Sequence, residues 1–78
     1  MEIAPRITVD PAIAHGVPVI TVTRVSVTIL IGSLASGMSK EEVEAEYEVS
    51  AADIEAALAF AADLVAKTEV TPLAGTQN

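Results

Sequence analysis

The sequence contains no cysteine among its 78 residues. Disulfides, thiolate metal sites and cysteine nucleophiles are therefore excluded. It also lacks tryptophan and has one phenylalanine and one tyrosine, so small aliphatic side chains supply most of the 51% hydrophobic fraction. A domain of this size buries only about 60% of the surface that its unfolded chain exposes. We therefore expect an apolar face on the monomer and a homodimer that covers it.

Groups that perform enzyme chemistry are scarce. The single histidine, His15, stands beside Gly16 in a predicted loop, and no cysteine can join it as a metal ligand. The glutamates of residues 41–48 form a solvated helix face, so none is a desolvated carboxylate for acid–base catalysis. No glycine-rich phosphate loop occurs. We predict a protein that is not an enzyme and that uses no metal, cofactor or small-molecule substrate.

Long hydrophobic runs are also missing. The longest charge-free, apolar-rich run covers residues 25–39, which is shorter than the roughly 20 residues that a membrane-spanning helix needs. The first ten residues lack the basic start and apolar segment of a secretory signal. We expect a cytoplasmic protein with no membrane segment.

Basic residues are few, and acidic residues concentrate in the second half of the chain. Residues 1–40 carry three basic and two acidic side chains, whereas residues 41–78 carry one basic and nine acidic side chains. Such a surface repels a phosphate backbone and attracts a basic protein. Solubility of a small apolar domain is the simpler interpretation of the same charge.

Two stretches rich in β-branched residues predict strands, at about residues 3–9 and 17–25. The first alternates apolar and polar side chains and ends at Asp10-Pro11, a pair typical of turns. The second contains Pro18, which lacks a backbone N–H and is therefore expected at a strand start or on a sheet edge.

Three capping signals predict three helices after the strands. Ser26 is a favourable N-cap, while Ser39 and Ser50 are each followed three positions later by an acidic residue, the pattern of a capping box. Gly37 fits the left-handed position that ends a helix. The predicted helices cover residues 27–36, 40–47 and 51–66. We expect residues 1–66 to form one domain and residues 67–78 a partly disordered tail, with a short strand at 69–71.

The third helix carries two apolar faces. The predicted buried stripe consists of Ile54, Leu58, Ala61 and Val65, widened by Ala57 and Leu64. The second face presents small side chains around an exposed aromatic ring, and its candidate partner-contact residues are Ala56, Ala59, Phe60 and Asp63. Ordinary alanine helix propensity explains this face equally well. The more specific hypothesis is that this face is a docking surface for another helix.

The second and third helices, joined by a three-residue turn, predict a helix-turn-helix with the third helix in the recognition position. This helix offers Asp53, Glu55 and Asp63 where recognition helices offer basic or amide side chains. If DNA binds, the phosphate contacts must come from other residues. The DNA-binding candidates are Arg6, Thr23, Arg24 and Lys40.

The stretch from Ile7 to about Leu64 resembles the small bacterial proteins of domain-of-unknown-function family 433. The residues that carry the resemblance are GVPVI at 16–20, Thr23-Arg24, Gly37-Met38-Ser39, Glu41-Glu42, Tyr47 and ALAFAA at 57–62. Two positions depart from the family pattern. Val22 replaces a usual glycine, so a turn there that needs a positive φ would be strained or absent. Val17 replaces a frequent lysine, and both changes weaken the case for nucleic-acid contact near Arg24.

The resemblance implies a homeodomain-like three-helix fold with an N-terminal β segment. It also implies a role, because many members are encoded as antitoxins beside a PIN-like ribonuclease toxin. We predict a mainly α (α+β) fold: a homeodomain-like three-helix bundle with a helix-turn-helix, preceded by one or two short strands. The favoured function is antitoxin-like binding and neutralisation of such a ribonuclease. The alternatives are a helix-turn-helix transcriptional regulator that binds operator DNA, including that of its own operon, and a protein that only dimerises.

Overall fold

A computed structural model of the chain describes residues 1–68, which form a three-stranded antiparallel sheet followed by three helices. The sheet has the strand order β1-β2-β3, so each strand lies beside its neighbour in sequence. The fold is mixed α+β. The elements are β1 (Glu2–Ala4), β2 (Ile7–Thr8), β3 (Val19–Ile20), α1 (Val27–Ala35), α2 (Lys40–Tyr47) and α3 (Ala51–Lys67).

The prediction of one or two strands is wrong, because the stretch predicted as one strand at 3–9 folds into a hairpin. Pro5 and Arg6 form the turn between β1 and β2. Proline restricts φ to about −65° at the first turn position, and Arg6 has a φ of 68° at the second. This combination is typical of a type II turn, which usually has glycine at the second position. The alternation of apolar and polar side chains continues through the turn, so the sequence pattern alone predicts a single strand.

The second predicted strand, residues 17–25, is also too long. Only Val19–Ile20 form β3, and Pro18 precedes its first residue as expected. Residues 21–24 then form a tight loop that is closed by the hydrogen bond from the amide of Ile20 to the carbonyl of Val25, at 2.8 Å. The positive φ in this loop falls on Arg24, at 63°. The replacement of the family's usual glycine by Val22 therefore places no valine in a left-handed conformation.

The three predicted helices are confirmed, together with the signals that start them. The Ser26 hydroxyl accepts a hydrogen bond from the amide of Ile29 at 3.0 Å. Ser39 and Ser50 both form complete capping boxes, in which each hydroxyl accepts from the amide three residues later and a carboxylate accepts from the serine amide. Because these interactions join residues only three positions apart, they can be predicted from the local sequence.

Gly37 ends α1 with a φ of 111°. The amide of Gly37 donates to the carbonyl of Leu34, and the amide of Met38 donates to the carbonyl of Ser33, both at 3.1 Å. This pair of hydrogen bonds is the Schellman motif, which satisfies carbonyl groups left free at a helix end. The chain reverses there and enters α2 at once.

The core draws one or more residues from β2, β3 and each helix. Its fully or nearly buried hydrophobic side chains are Ile7, Val19, Ile20, Val27, Leu30, Val43, Val49, Ile54 and Ala57. The hairpin therefore packs on the helices and contributes to the same core. Within residues 1–68, no helix has both the length and the hydropathy that crossing a bilayer requires.

The predicted burial of α3 is correct in its first half and wrong in its second. Ile54 and Ala57 are buried, but Leu64 and Val65 are 55% and 69% exposed. Phe60, predicted to be exposed, is half-buried and packs against the core. The helix continues past the residues that cover its first half, so periodicity alone overestimates its buried stripe. The tail predicted at 67–78 begins with the last residue of α3, and the strand predicted at 69–71 lies outside the described residues.

We predict that Gly37→Ala lowers the free energy of unfolding by about 1–2 kcal/mol, because a side chain disfavours a positive φ. Gly37→Asn is the matched control, since asparagine tolerates this conformation better than alanine. Urea denaturation measures both. Equal losses for the two variants would contradict this explanation.

Candidate partner-binding surface

Arg6 connects the hairpin turn to α3. Its Nη1 atom donates to Oδ1 of Asp53 at 3.0 Å, and the Asp53 residue is only 5% exposed. The other carboxylate oxygen, Oδ2, accepts from the amide of Ser50 at 3.0 Å and so closes the capping box of α3. One buried carboxylate therefore caps the helix and binds the hairpin at the same time.

The ionised form of Asp53 is the one that this geometry favours. Burial of the carboxylate by itself would raise its pKa. The amide of Ser50, the guanidinium of Arg6 and the side chain of Ser50 together outweigh burial and hold the pKa of Asp53 below its ordinary value. Asp53 is thus charged whenever the pH is above that ordinary value, and Arg6 is held by a charged partner.

The remaining DNA-binding candidates lie in two places. Lys40 starts α2, and its Nζ atom donates to Oε2 of Glu55 on α3 at 2.9 Å, which raises the pKa of Lys40. Thr23 accepts from the amide of Val25 within the loop of residues 21–24. Arg24 is exposed in the same loop and forms no ion pair with any residue of the range 1–68.

Arg6 and the loop are neighbours in the structure, since the amide of Thr21 donates to the carbonyl of Arg6 at 2.8 Å. The structure therefore brings Arg6, Thr23 and Arg24 to adjacent turns. It also gives two of the three candidate cations, Arg6 and Lys40, an acidic partner in the same chain.

The four partner-contact candidates line a single open cavity of about 510 Å³. The cavity lies between α3 and the β1–β2 hairpin, and we call it the α3–hairpin cavity. Its lining residues are Ile3, Ala4, Pro5, Ala56, Ala59, Phe60, Asp63, Leu64 and Lys67. Sequence reasoning found the α3 wall but missed the hairpin wall, because the turn at Pro5-Arg6 was not recognised. Proline in the middle of a predicted strand was the available signal.

The α3–hairpin cavity is mostly apolar and has one charged edge. Asp63 and Lys67 form an ion pair there, with 3.0 Å between Oδ2 and Nζ. Both side chains are largely exposed, so this pair contributes little to stability. A preformed apolar cavity with a few polar groups at its edge can bind hydrophobic side chains of a partner.

A second cavity, of about 400 Å³, lies on the other side of the Phe60 and Leu64 side chains. It is formed by α1, α3 and the residue before β3, and we call it the α1–α3 cavity. Its lining residues are Pro18, Val27, Thr28, Ile31, Gly32, Phe60, Ala61 and Leu64. Phe60 and Leu64 separate the two cavities. Phe60 is the one lining residue of the second cavity that was predicted as a contact residue.

An acidic surface surrounds α2. The helix contains four glutamates, and Glu48 follows at its C-cap. Glu42 is used in the capping box, whereas Glu41, Glu44, Glu46 and Glu48 form no ion pair within residues 1–68. Over the same residues, no three His, Asp or Glu side chains converge as a set of metal ligands.

We predict that Asp53→Asn lowers the free energy of unfolding at neutral pH by about 1–3 kcal/mol. Both carboxylate oxygens accept hydrogen bonds, whereas an amide has one oxygen, so one bond is lost and the other loses its charge. The pKa of Asp53 is lower in the folded than in the unfolded chain. Its contribution is therefore complete above the unfolded pKa, near 3.8, and is lost as the pH falls through the folded value.

Urea denaturation at neutral pH and at several values below about 4 measures this difference. The wild type and Asp53→Asn should converge in stability as the pH falls. A difference that stays constant down to about pH 2 would mean that the Asp53 charge contributes nothing.

Comparison with known proteins identifies the family of this chain. Residues 7–61 match the model of the family described as "Protein of unknown function (DUF433)", which covers more than half of the chain. None of the curated proteins and none of the solved structures compared with the chain is significantly similar to it. The resemblance inferred from Gly16–Ile20, Thr23-Arg24 and the later motifs is confirmed. The chain belongs to the family of proteins of unknown function DUF433.

Proposed function

We propose that this chain is a non-enzymatic, antitoxin-like protein that binds and neutralises a PIN-like ribonuclease. The observation that carries the proposal is that Ala56, Ala59, Phe60 and Asp63, selected as contact residues from the sequence, all line one apolar cavity. The partner class comes from the resemblance to a family in which many members are encoded beside such a toxin.

The shape of the α3–hairpin cavity supports a protein partner. Its walls are a helix and a hairpin turn, and small side chains such as Ala56 and Ala59 leave the space between them open. An apolar helix or loop of a partner can insert one or two large side chains there. Contacts of this kind dominate the binding energy of protein interfaces.

The charge of the chain supports a basic partner. The net charge is −7, and the carboxylates of α2 form no ion pairs within residues 1–68. Such a surface accelerates association with a basic protein and disfavours acidic competitors. A ribonuclease that binds an RNA backbone has a basic surface of the complementary sign.

A helix-turn-helix regulator is the second candidate function. The observation in its favour is that three residues, Glu48–Ser50, connect α2 and α3. In that motif the first helix crosses the phosphate backbone. Here that helix would be α2, which carries four glutamates, while Lys40 and Arg6 are paired with acids of the same chain. We therefore rank DNA binding below binding of a basic protein.

The proposal is tested first by purifying the tagged chain from its native cells and analysing the bound protein and nucleic acid separately. We expect a small basic ribonuclease-like protein at a fixed stoichiometry. The purified partner should cleave RNA, and adding the chain should suppress cleavage at equimolar amounts. Promoter DNA without a protein partner would favour the regulator instead, and a bound ribonuclease that stays active would overturn neutralisation.

Ala59→Arg is the sharpest variant for the contact surface. Ala59 is exposed and lines only the α3–hairpin cavity, whereas Phe60 packs against the core, so Phe60→Asp would also destabilise the fold. We predict that Ala59→Arg weakens ribonuclease binding by at least about tenfold, because the long charged side chain fills an apolar contact. Isothermal titration calorimetry measures the effect.

The matched control is Ala62→Arg. Ala62 is exposed on the same helix, lines neither cavity, and gives the same change in charge and helix propensity. Its affinity should stay close to that of the wild type. Equal losses for the two variants would indicate a general charge effect rather than a contact at the cavity.

For the second candidate we predict no retardation of promoter DNA by the chain alone at about 50 mM salt, where electrostatic binding is strong. A gel-shift titration at increasing salt measures this. Retardation that disappears steeply as the salt rises, and that Arg24→Ala reduces, would contradict our ranking.

A further inference from the structure

We propose that the α1–α3 cavity is the contact between two copies of this chain. In a symmetric dimer, Leu64 of each copy would pack into the cavity of the other, against the face of α1 that carries Thr28 and Gly32. This inference goes beyond the proposed function, because it assigns a different partner to a different cavity, although Phe60 and Leu64 line both cavities.

The charge of the chain indicates where two copies can meet with the least repulsion. None of the eight residues that line the α1–α3 cavity is ionisable. Two chains with a net charge of −7 repel each other wherever their acidic surfaces meet. The contact with the least repulsion is therefore an uncharged one. A basic partner, in contrast, gains no electrostatic attraction at this cavity and is drawn to the carboxylates of α2.

Gly32 is an independent observation on the same surface. Glycine within a helix is less favourable than alanine, and Gly32 lies inside α1, away from both ends. A Cβ atom built at Gly32 has no neighbour within 4 Å among the described residues, so packing within the monomer does not require glycine. A glycine on a helix surface allows a side chain or backbone of another chain to approach closely. The second copy would occupy this space.

Leu64 provides the group that enters the cavity. It is 55% exposed and stands at the edge of the cavity on the half of α3 that extends past the core. In a two-fold contact, the same residue supplies the inserted side chain on both sides. Burial of two such side chains adds to a core that has nine buried hydrophobic residues within residues 1–68, because a domain of this size is marginally stable by itself.

The test compares Thr28→Arg with Ile29→Arg in the full chain. Both residues lie exposed and uncharged in the first turn of α1, so arginine perturbs the helix similarly at either position. Thr28 lines the cavity and Ile29 does not. By sedimentation equilibrium we expect a micromolar dimer for the wild type, a dissociation constant at least about tenfold higher for Thr28→Arg, and a nearly unchanged one for Ile29→Arg.

Gly32→Ala distinguishes an effect on dimerisation from an effect on folding, because we expect it to stabilise the monomer and to weaken the dimer. In dilute monomer, alanine should lower the unfolding equilibrium constant by about fivefold, as expected for an exposed helix position. The same variant should raise the dissociation constant of the dimer, because the methyl group occupies the contact. A variant that dimerises as well as the wild type would overturn the role of Gly32, and a monomeric wild type at about 100 μM would overturn the dimer.

Ribonuclease binding by the same variants distinguishes this inference from the proposed function. Folded Thr28→Arg should lose dimerisation and keep the ribonuclease. If Thr28→Arg loses the ribonuclease while its dimer persists, the cavity belongs to the ribonuclease contact and the inference is wrong. If no ribonuclease binds the wild type but Thr28→Arg dissociates the dimer, the inference stands and the proposed function fails.

Discussion

The carboxylate of Asp53 is the interaction on which the arrangement of this molecule depends. It accepts a hydrogen bond from the amide of Ser50, the N-cap residue of α3. It also forms an ion pair with Arg6 and so links the hairpin to that helix. The hairpin is short and would be marginal alone. Without this link the hairpin would be held on α3 only by the packing of side chains such as Ile7, and the hairpin wall of the α3–hairpin cavity would be less firmly fixed. The stability of the N-terminal sheet and the shape of the candidate site are therefore coupled through one buried charge.

The ion pairs within the chain support our proposal of a basic protein partner. Arg6, Lys40 and Lys67, three of the four basic side chains of the sequence, pair with acids of their own chain. The carboxylates of α2 have no such partner within residues 1–68. Arg24 could contact a phosphate without breaking an ion pair, but any contact by Arg6, Lys40 or Lys67 would break one. Binding would also bring an acidic helix close to more negative charge. Binding a basic protein requires neither. This is why we propose a protein partner rather than DNA, although only three residues connect α2 and α3.

The length of α3 explains why two apolar cavities exist side by side. Its 17 residues extend about 25 Å, further than the core that covers its first half. Phe60 and Leu64 lie where that cover ends, with the hairpin on one side and α1 on the other. The two cavities differ in chemistry, because one has a charged edge and the other has no ionisable residue. A single helix can thus present two surfaces for different partners, and residues that line only one of them allow the surfaces to be tested separately.

The starts and ends of the helices were determined by the sequence itself, because the capping boxes and the reversal at Gly37 act between residues a few positions apart. The α3 wall of the candidate site followed from helical spacing in the same way. The hairpin did not, since its turn places a non-glycine residue, Arg6, at a φ that glycine normally adopts. Its docking on α3 combines burial of Ile7 with an ion pair across 47 positions of sequence. The same docking supplies the hairpin wall of the α3–hairpin cavity and gives Arg6 an acidic partner. Local signals can be read from a few neighbouring residues, whereas contacts between distant elements exist only once those elements have packed together.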